Sequence, residues 1–270
     1  METLLVDRAD NGVVTVTLNR PERKNAMNAR MFNELLEVFR EIDTSTSDRV
    51  LVITGAGDAF CSGADLSDRG GDPRHATARL HWVADIALAF HRLPKPVIAK
   101  VNGVAVGAGM NLALGCDLIV ASENARFSEI FARRGLSIDF GGSWLLPRLI
   151  GMHRAKELAL LADIISAKEA AEMGLVNRVL PASELDAFVA DWADRLAAGP
   201  PIALGLTKRL LGNSFAVSMD EALEAEGMAQ SVNSGHRGRA GGDPRFPREA
   251  RANVQRPVSH ARPTRRMAGR

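Results

Sequence analysis

The stretch KPVIAKVNGVAVGAGMNLALGCDLIVAS, residues 95–122, decides the fold class. It begins with a short apolar run, PVIAKVNG at 96–103, which is bounded by turn residues as buried strands are. A glycine turn, GAG at 107–109, then opens an apolar helix, and DLIVAS at 117–122 is predicted to be another strand. Strands that alternate with helices in this way indicate an α/β fold.

The flanking sequence repeats this alternation. VVTVTLN at 13–19 alternates with a period of two, and VLVITG at 50–55 is an apolar run, so both are predicted strands. Between them, NARMFNELLEVFREI at 28–42 has apolar residues at helical spacing, with Asn28 as its predicted N-cap. The last third of the chain is mostly helical, as in a lobe that covers a site or builds a subunit interface. Further helices are predicted at 79–93, 142–150, 152–162, 167–174, 183–197, 202–212 and 219–232.

The composition is that of a globular protein in a reducing compartment. The chain has 270 residues, 46% hydrophobic and 24% charged, enough to bury one substantial core. Its two cysteines, Cys61 and Cys116, are too few for a disulfide framework and lack the Cys/His spacing of a zinc site. No targeting segment or stretch of membrane-spanning length is evident. These features predict a cytoplasmic protein without a metal site or a membrane anchor.

The charge is distributed unevenly along the chain. Residues 235–270 hold ten arginines, one aspartate and one glutamate, a net charge of +8, which leaves −6 on residues 1–234. This tail also contains Gly and Pro throughout and has no apolar periodicity, so we expect it to be disordered. Its arginines suit salt-dependent phosphate binding, but with Phe246 as its single Phe, Trp or Tyr the tail lacks the aromatic interleaving of base-stacking surfaces. A solvated tail is the favoured interpretation, and nucleic-acid binding is not expected.

Two glycine-containing turns are candidate ligand sites. Ser62-Gly63-Ala64 follows a short segment after the 50–55 strand and allows backbone N–H groups to approach a ligand closely. The turn at 107–109 opens a helix whose first N–H groups have no partner within the helix. Either turn alone is as consistent with plain packing as with binding. The second turn also lacks the third glycine and the distal acid of a dinucleotide fingerprint.

The two turns and their flanks together resemble the enoyl-CoA hydratase/isomerase (crotonase) superfamily. The resemblance implies an α/β fold, a crotonase-type superhelix of ββα units with a C-terminal helical lobe, which binds a coenzyme A thioester. We expect a core at 1–197, a C-terminal trimerisation region at 198–234 and the tail at 235–270. The resemblance covers about residues 2–234 and is carried by NRPERKNAMN (19–28), AFCSGADL (59–66), the 95–122 stretch, GGSWLLPRLIG (141–151) and SAKEAAEMGLVNRV (166–179).

By position in the family's motifs, the backbone N–H groups of Ala64 and Ala108 correspond to the two donors of an oxyanion hole. Ala108 stands where the family usually has glycine, so the donor is retained only if the backbone there permits a side chain. Deprotonation next to a thioester moves charge onto its carbonyl oxygen, and each preorganised donor is commonly worth about 2.7–4 kcal/mol. A base within reach of the substrate is then still required.

The sequence departs from the hydratases at the two positions that carry their catalytic glutamates. Asn111 occupies the first, in GAGMNL, and Phe131 occupies the second, in FSEIFARRG. An amide and a phenyl ring cannot take a proton at neutral pH. The usual water-adding mechanism is therefore poorly supported by the sequence.

Asp139 is the predicted catalytic base. Its segment, GLSIDFGGSWLLPRLIG at 135–151, resembles the ring-1,2-epoxyphenylacetyl-CoA and Δ3,Δ2-enoyl-CoA isomerase branch, in which one acid at this place moves a proton. One base suffices because it removes a proton from C2 and returns it to C4. An apolar setting beside Phe131, Phe140 and Trp144 would raise the pKa of this carboxyl and favour the return.

Several alternatives remain open at the level of sequence. An aspartate before Gly-Gly and a helix is also a plausible N-cap, which is the competing interpretation of Asp139. Glu129 is the rival base and would support a hydratase, although a solvated acid at a helix start is the favoured interpretation. A non-catalytic thioester-binding protein is the third functional class. Asp117 is predicted to close a structural hydrogen bond at a strand start, and Cys61 to be a small core residue.

The resemblance also implies the remaining contacts and the assembly. Arg23 and Lys24 lie in the loop that corresponds to the family's coenzyme A contact, where they would meet phosphates. No separate cofactor is expected, because coenzyme A arrives with the substrate, and the assembly is expected to be a homotrimer or a dimer of trimers. The other predicted substrate-binding residues are Ala26, Asp65, Leu66, Gly107, Asn111, Phe131 and Trp144.

Overall fold

The computed structural model describes residues 1–67 and 75–239, and its strands form two sheets. The larger sheet has the order β1-β2-β3-β5-β7-β10, and the smaller one has the order β4-β6-β8-β9. The strands are β1 Leu4–Arg8, β2 Val13–Leu18, β3 Val50–Gly55, β4 Ala59–Cys61, β5 Val97–Val101, β6 Val104–Val106, β7 Leu118–Ser122, β8 Arg126–Ser128, β9 Ile165–Ser166 and β10 Arg178–Leu180.

Helices lie between the strands, and three of them follow the last described strand. The α-helices are α1 Ala29–Thr44, α2 Ala76–His91, α3 Ala108–Leu114, α4 Gly142–Ile150, α5 Met152–Leu161, α6 Ala167–Met173, α7 Leu185–Ala197, α8 Pro201–Asn213 and α9 Met219–Arg239. Short 3-10 helices lie at Pro21–Arg23 and Ile130–Arg134.

From β3 to β8, consecutive strands enter different sheets, which produces the ββα repeat. Strands β3, β5 and β7 pair in parallel in the larger sheet, and each is followed directly by a short strand, β4, β6 or β8, of the smaller sheet. Helix α2 follows β4, and helix α3 follows β6. This repetition confirms the predicted crotonase-type ββα superhelix.

The larger sheet is covered on both faces. Strand β3 is buried along its whole length, whereas β2 alternates buried and half-buried residues, as the apolar run and the period of two respectively predict. Helix α1 contributes Leu35 and Phe39 to the main core, where Phe39 stacks on Phe90 with 4.8 Å between ring centroids. Helix α7 covers other residues of the sheet, placing Leu185 and Val189 against them.

The predicted elements agree with the structure where they are long. Asn28 is the N-cap of α1, and its side chain accepts from the Met31 N–H at 2.9 Å. The strands that the sequence did not predict are β1 and the short strands β4, β6, β8, β9 and β10. The short ones have two or three residues, too few for a detectable periodicity, and β1 has one buried residue in five. Within the described residues, no helix is long and apolar enough to cross a membrane.

Two helices, α8 and α9, form the C-terminal end of the described chain. Helix α8 lies within the compact unit Met1–Ala225, which also contains the strands of both sheets. The expected core at 1–197 and trimerisation region at 198–234 stay predictions. Helix α9 extends to Arg239, and the predicted disorder of the tail from residue 235 stays a prediction. The rest of the predicted tail lies outside the described residues.

Helix α3 approaches β4 so closely that the site at Gly109 excludes a side chain. A Cβ at Gly109 would lie 2.7 Å from the Cys61 Cβ and closer still to the Cys61 carbonyl oxygen. We expect Gly109→Ala to lower the free energy of unfolding by about 1–3 kcal/mol, because the helix and strand must separate. Gly212→Ala in α8 is the matched control: it meets no atom within 4 Å and should be neutral or stabilising by about 0.5–1 kcal/mol. Urea unfolding of both variants measures the difference, and equal stabilities would contradict the packing constraint.

Candidate active site

The two predicted turns lie side by side at one edge of the smaller sheet. Strands β4 and β6 pair in parallel, with Ala59 opposite Val104, so their carboxyl ends meet at the same edge. The turn after β4 contains Gly63, and a Cβ at this position would lie 3.6 Å from the Ala108 nitrogen. Two turns separated by about forty residues of sequence therefore form one backbone surface.

The two predicted oxyanion-hole donors, the N–H groups of Ala64 and Ala108, point away from the neighbouring backbone hydrogen bonds. Met27 donates its N–H to the Gly63 carbonyl at 2.8 Å and accepts from the Asp65 N–H at 2.9 Å. Because neighbouring peptide groups in an extended segment face opposite sides, the N–H of Ala64 points away from Met27. Ala108 is the first residue of α3, so its N–H has no acceptor within the helix. In the part of the chain that the structure describes, neither N–H has a hydrogen-bond partner.

The backbone at the second turn accommodates alanine in place of the family's usual glycine. Gly107 has φ 55° and ψ −127°, a conformation that side chains rarely permit, whereas Ala108 does not have a positive φ. The strained angle is thus confined to Gly107, and the methyl group of Ala108 lies buried in the core. The condition on which the Ala108 donor depends is met.

The loop at 20–28 holds the first turn in place. Ser62 donates its N–H to the Lys24 carbonyl at 2.9 Å and its hydroxyl to the Arg23 carbonyl at 3.2 Å. These contacts bring the predicted coenzyme A loop next to the oxyanion turn. The Lys24 ammonium lies 2.5 Å from Asp58, and both side chains are exposed. Lys24 is therefore paired at the surface, and phosphate binding by Arg23 and Lys24 stays a prediction.

Asp65 acts within the protein by fixing the turn. Its carboxylate lies 2.9 Å from the guanidinium of Arg20, which also donates to the Ala26 carbonyl at 2.6 Å. The Ser67 hydroxyl donates to the same carboxylate at 2.6 Å. The Ser67 hydrogen bond, followed by the one from Arg20, lowers the pKa of Asp65 against the effect of burial. Leu66 is exposed beside it.

Asp139 is not an N-cap. Helix α4 is capped by Gly141, which has φ 83° and no side-chain hydrogen bond to the helix. The backbone carbonyl of Asp139 accepts from the Gly142 N–H at 3.0 Å. The N-cap position of α4 belongs to Gly141, so the competing interpretation of Asp139 as the N-cap is wrong. Phe140 and Gly141, both with a left-handed backbone, separate Asp139 from the first residue of the helix.

Asn111 links helix α3 to the loop that carries Asp139. Its side-chain Nδ2 donates to the Asp139 carbonyl oxygen at 2.9 Å, and the residue is fully buried. It packs so tightly against Gly142 that any Cβ there would collide with the amide. The position of the family's first glutamate is thus occupied here by a residue that fixes the backbone of Asp139.

Glu129 is buried, so its prediction as a solvated acid is wrong. It has 0% exposure, and its Oε2 lies 3.4 Å from Asn111 Nδ2. Its Oε1 is buried without a hydrogen-bond partner in the described residues. Burial, with a smaller contribution from the charge of Asp139, raises the pKa of Glu129 to about 8 against the hydrogen bond from Asn111. The local pattern does not reveal this burial, because Ser128, which lies on the opposite side of the strand from Phe127, is buried as well.

Aromatic side chains surround this cluster, but not all of those predicted. Ring atoms of Phe131 lie 3.7 and 3.9 Å from the position of a Cβ on Gly107, so the phenyl covers the oxyanion turn. Phe140 packs against Phe32 with 6.0 Å between centroids. Trp144 instead is 37% exposed and contacts His91 and Arg148, the latter at 3.9 Å from the ring centroid. Trp144 therefore contacts His91 and Arg148, whereas Phe140 contacts Phe32.

Two further interpretations of the sequence are confirmed. Asp117 accepts from the Val97 N–H at 2.7 Å and pairs with Lys208 at 2.8 Å, so it is structural at the start of a strand. Cys61 is buried with its thiol 3.1 Å from the Asn25 carbonyl, and burial raises its pKa to about 12. Residues 1–67 and 75–239 contain no cluster of three or more side chains that suits a metal ion.

Comparison with known proteins agrees with this fold. Residues 8–242 match the family described as Enoyl-CoA hydratase/isomerase, and the chain belongs to that family. It is 39% identical over 231 residues to 1,2-epoxyphenylacetyl-CoA isomerase of Escherichia coli (strain K12), covering 84% of this chain and 88% of the relative. It is 41% identical over 217 residues to a probable enoyl-CoA hydratase of Rhodobacter capsulatus, covering 79% and 84%. The crystal structure of an enoyl-CoA hydratase of Mycobacterium smegmatis superposes with a TM-score of 0.81 at 35% identity, covering 86% and 90%.

The left-handed backbone at Phe140 predicts an unusual order of stability among its variants. Phe140 has φ 50°, so alanine at this position keeps the strain, whereas glycine removes it. Both lose the buried ring, at about 3–5 kcal/mol, but we expect Phe140→Gly to be more stable than Phe140→Ala by about 1 kcal/mol. At Phe39, inside α1, the order should be reversed by about 1 kcal/mol. Urea unfolding of the four variants measures both differences; an alanine variant at 140 that matches or exceeds glycine contradicts the strain.

The buried Glu129 predicts a pH-dependent loss of stability. Its pKa is higher in the folded protein, about 8, than the ordinary 4.5, so the folded state binds more protons between these values. The stabilisation from protonated Glu129 is full below pH 4.5 and is lost as pH rises towards 8, by up to about 1.4 kcal/mol per pH unit. Glu129→Gln should remove this slope and exceed the wild type in stability by several kcal/mol at pH 8.

Denaturant unfolding at pH 5, 6.5 and 8 measures this difference. The exposed Glu157→Gln in α5 is the control and should retain the wild-type slope. Parallel curves for Glu129→Gln and wild type across that range would show that Glu129 ionises normally in the folded protein.

Proposed function

We propose that this acyl-CoA-processing protein is an enoyl-CoA isomerase that moves a double bond through an enolate, with Asp139 as its single base. The observation that carries the proposal is the hydrogen bond from Asn111 Nδ2 to the Asp139 carbonyl at 2.9 Å. Asn111 lies one turn after Ala108 on helix α3. The same short helix therefore carries the proposed oxyanion donor and the residue that fixes the backbone of the proposed base.

The proposed reaction has two proton transfers at one carboxylate. The thioester carbonyl of a 3-enoyl-CoA accepts from the N–H groups of Ala64 and Ala108. Asp139 removes a proton from C2, and the electron pair forms a dienolate whose negative charge lies on the carbonyl oxygen. Asp139 then gives the proton to C4, which leaves the double bond between C2 and C3. The proton is returned, so neither water nor a separate cofactor is consumed.

The positions of the hydratase glutamates support this choice over water addition. Asn111 donates from its amide, and Phe131 places its ring over Gly107, so neither is a base. The isomerase name of the 39% identical relative supports the proposal as well. Other relatives carry hydratase names, and a hydratase that uses Glu129 is the second candidate, favoured by the burial of that acid in the cluster.

The proposed function also implies a substrate and an assembly. The substrate is an acyl-CoA thioester, whose phosphates would meet Arg23 and Lys24 in the exposed loop beside the oxyanion turn. We propose a homotrimer or a dimer of trimers as the assembly and expect no nucleic-acid partner. A non-catalytic thioester-binding role is the third alternative, and turnover of any enoyl-CoA excludes it.

The test gives wild type and Asp139→Asn a 3-enoyl-CoA and, separately, a 2-enoyl-CoA, with products separated by chromatography. Wild type should convert the 3-enoyl to the 2-enoyl thioester and add little water. Asp139→Asn should lose isomerisation by about 10²–10⁴-fold, because the amide cannot accept a proton. Asp186→Asn is the matched control: this acid is exposed, pairs with Lys100 and should leave the rate unchanged.

Two results would contradict the proposal. Accumulation of 3-hydroxyacyl-CoA by wild type and by Asp139→Asn alike identifies a hydratase with another acid, and Glu129→Gln would then be inactive. Full isomerisation by Asp139→Asn, with a normal response of the Asp186 control, shows that a different group moves the proton.

A further inference from the structure

The buried cluster contains a second acid that the proposed reaction does not use. Glu129 follows β8, and Asn111 stands between it and the segment that carries Asp139. A fully buried carboxyl normally has several hydrogen-bond donors when it is ionised. Glu129 has one long contact, 3.4 Å from Asn111 Nδ2 to Oε2, and no partner for Oε1 among the described residues. This environment favours the protonated form.

Other charged groups near Glu129 do not compensate for its burial. Asp139 is the charge that bears on it, and it has the same sign. The cationic 3-10 helix residue Arg133 is exposed and pairs with Asp163 at 2.6 Å, whereas the guanidinium of Arg148 lies over Trp144. The remaining charged side chains on the adjacent elements are exposed: Arg126 of β8, Arg134 of the 3-10 helix, and His153, Arg154, Lys156 and Glu157 of α5.

We propose that Glu129 is a positioning residue that must keep its proton during turnover, so that Asp139 is the one carboxylate that exchanges a proton with the substrate. The proposal rests on the proposed isomerase function. It concerns the charge state of a residue that acts through Asp139 and Asn111 rather than by contact with the substrate.

The chemistry gives the protonated state its importance. The same carboxylate takes a proton from C2 and returns it to C4, so its proton affinity must allow both transfers. A second negative charge in the cluster makes Asp139 hold the proton more tightly, which slows the return. It also repels the negative charge of the dienolate. Turnover should therefore fall as Glu129 ionises, although Glu129 itself transfers no proton.

The experiment is the pH profile of kcat for isomerisation of a 3-enoyl-CoA from pH 6 to pH 10. Wild type should lose activity above a midpoint near 8, by about tenfold per pH unit. Glu129→Gln, a neutral side chain of the same shape, should keep kcat at pH 7 within about threefold of wild type and lose this alkaline limb. Glu129→Asp keeps an ionisable carboxyl group and should again lose activity at alkaline pH, unlike Glu129→Gln. Glu157→Gln, the exposed control, should keep the wild-type profile.

Each contrary outcome overturns the proposal in a distinct way. An unchanged limb in Glu129→Gln assigns it to another group, and a wild type without a limb up to pH 10 shows that ionisation of Glu129 does not matter. A loss of more than about 100-fold at pH 7 in Glu129→Gln makes Glu129 a proton-transfer group itself. If circular dichroism shows that Glu129→Gln does not fold, the alkaline midpoint of Glu129→Asp is compared with that of wild type. An identical midpoint assigns the limb to another group and overturns the proposal.

The Asp139→Asn variant separates this proposal from the function on which it rests. If that variant isomerises as well as wild type, the isomerase mechanism fails and the inference about Glu129 falls with it. If Asp139→Asn is inactive while the Glu129 variants behave like wild type at every pH, the mechanism stands and only the role of Glu129 is wrong.

Discussion

The site depends on the close packing of helix α3 against strand β4. Glycine at 109 brings the helix to the backbone of Cys61, and this contact sets the position of everything that α3 carries. Its first residue, Ala108, presents its N–H beside the turn at Gly63, and Asn111, one turn later, holds the carbonyl of Asp139. A seven-residue helix has little stability of its own, so packing rather than propensity must hold it in place.

The cluster around Asn111 shows how one amide organises two acids. Its Nδ2, which carries two N–H donors, lies 2.9 Å from the Asp139 carbonyl and 3.4 Å from Glu129 Oε2, so it makes one short and one long hydrogen bond. The shorter bond fixes a backbone, and the longer one does little to offset the burial of a carboxyl. Two acids in such a site differ in their environments, and differences of this kind separate a group that keeps its proton from one that exchanges it.

Strain and exposure divide the aromatic residues of α4 and the loop before it. Phe140 retains a left-handed backbone, which costs about 1–3 kcal/mol in general, and its buried ring packs on Phe32. Trp144, four residues later, faces His91 and Arg148 instead. The sequence predicted both rings beside the acid. The sequence did not distinguish the environments of the two rings, because the direction in which α4 leaves the turn depends on the backbone angles at Phe140 and Gly141.

The sequence by itself determined the longer strands and helices, the two glycine turns and the absence of both usual hydratase glutamates, and its resemblance to the crotonase superfamily implied the ββα class. Local periodicity did not reveal β4, β6 and β8, because strands of three residues carry too little of it. Only the tertiary structure decided that Glu129 is buried, that Asn111 holds the Asp139 carbonyl, and that Asp139 caps no helix. Asn111 meets these acids across 18 and 28 residues of sequence. The environment of a side chain is set by such distant neighbours, and neither its solvation nor its charge can be read from the local pattern alone.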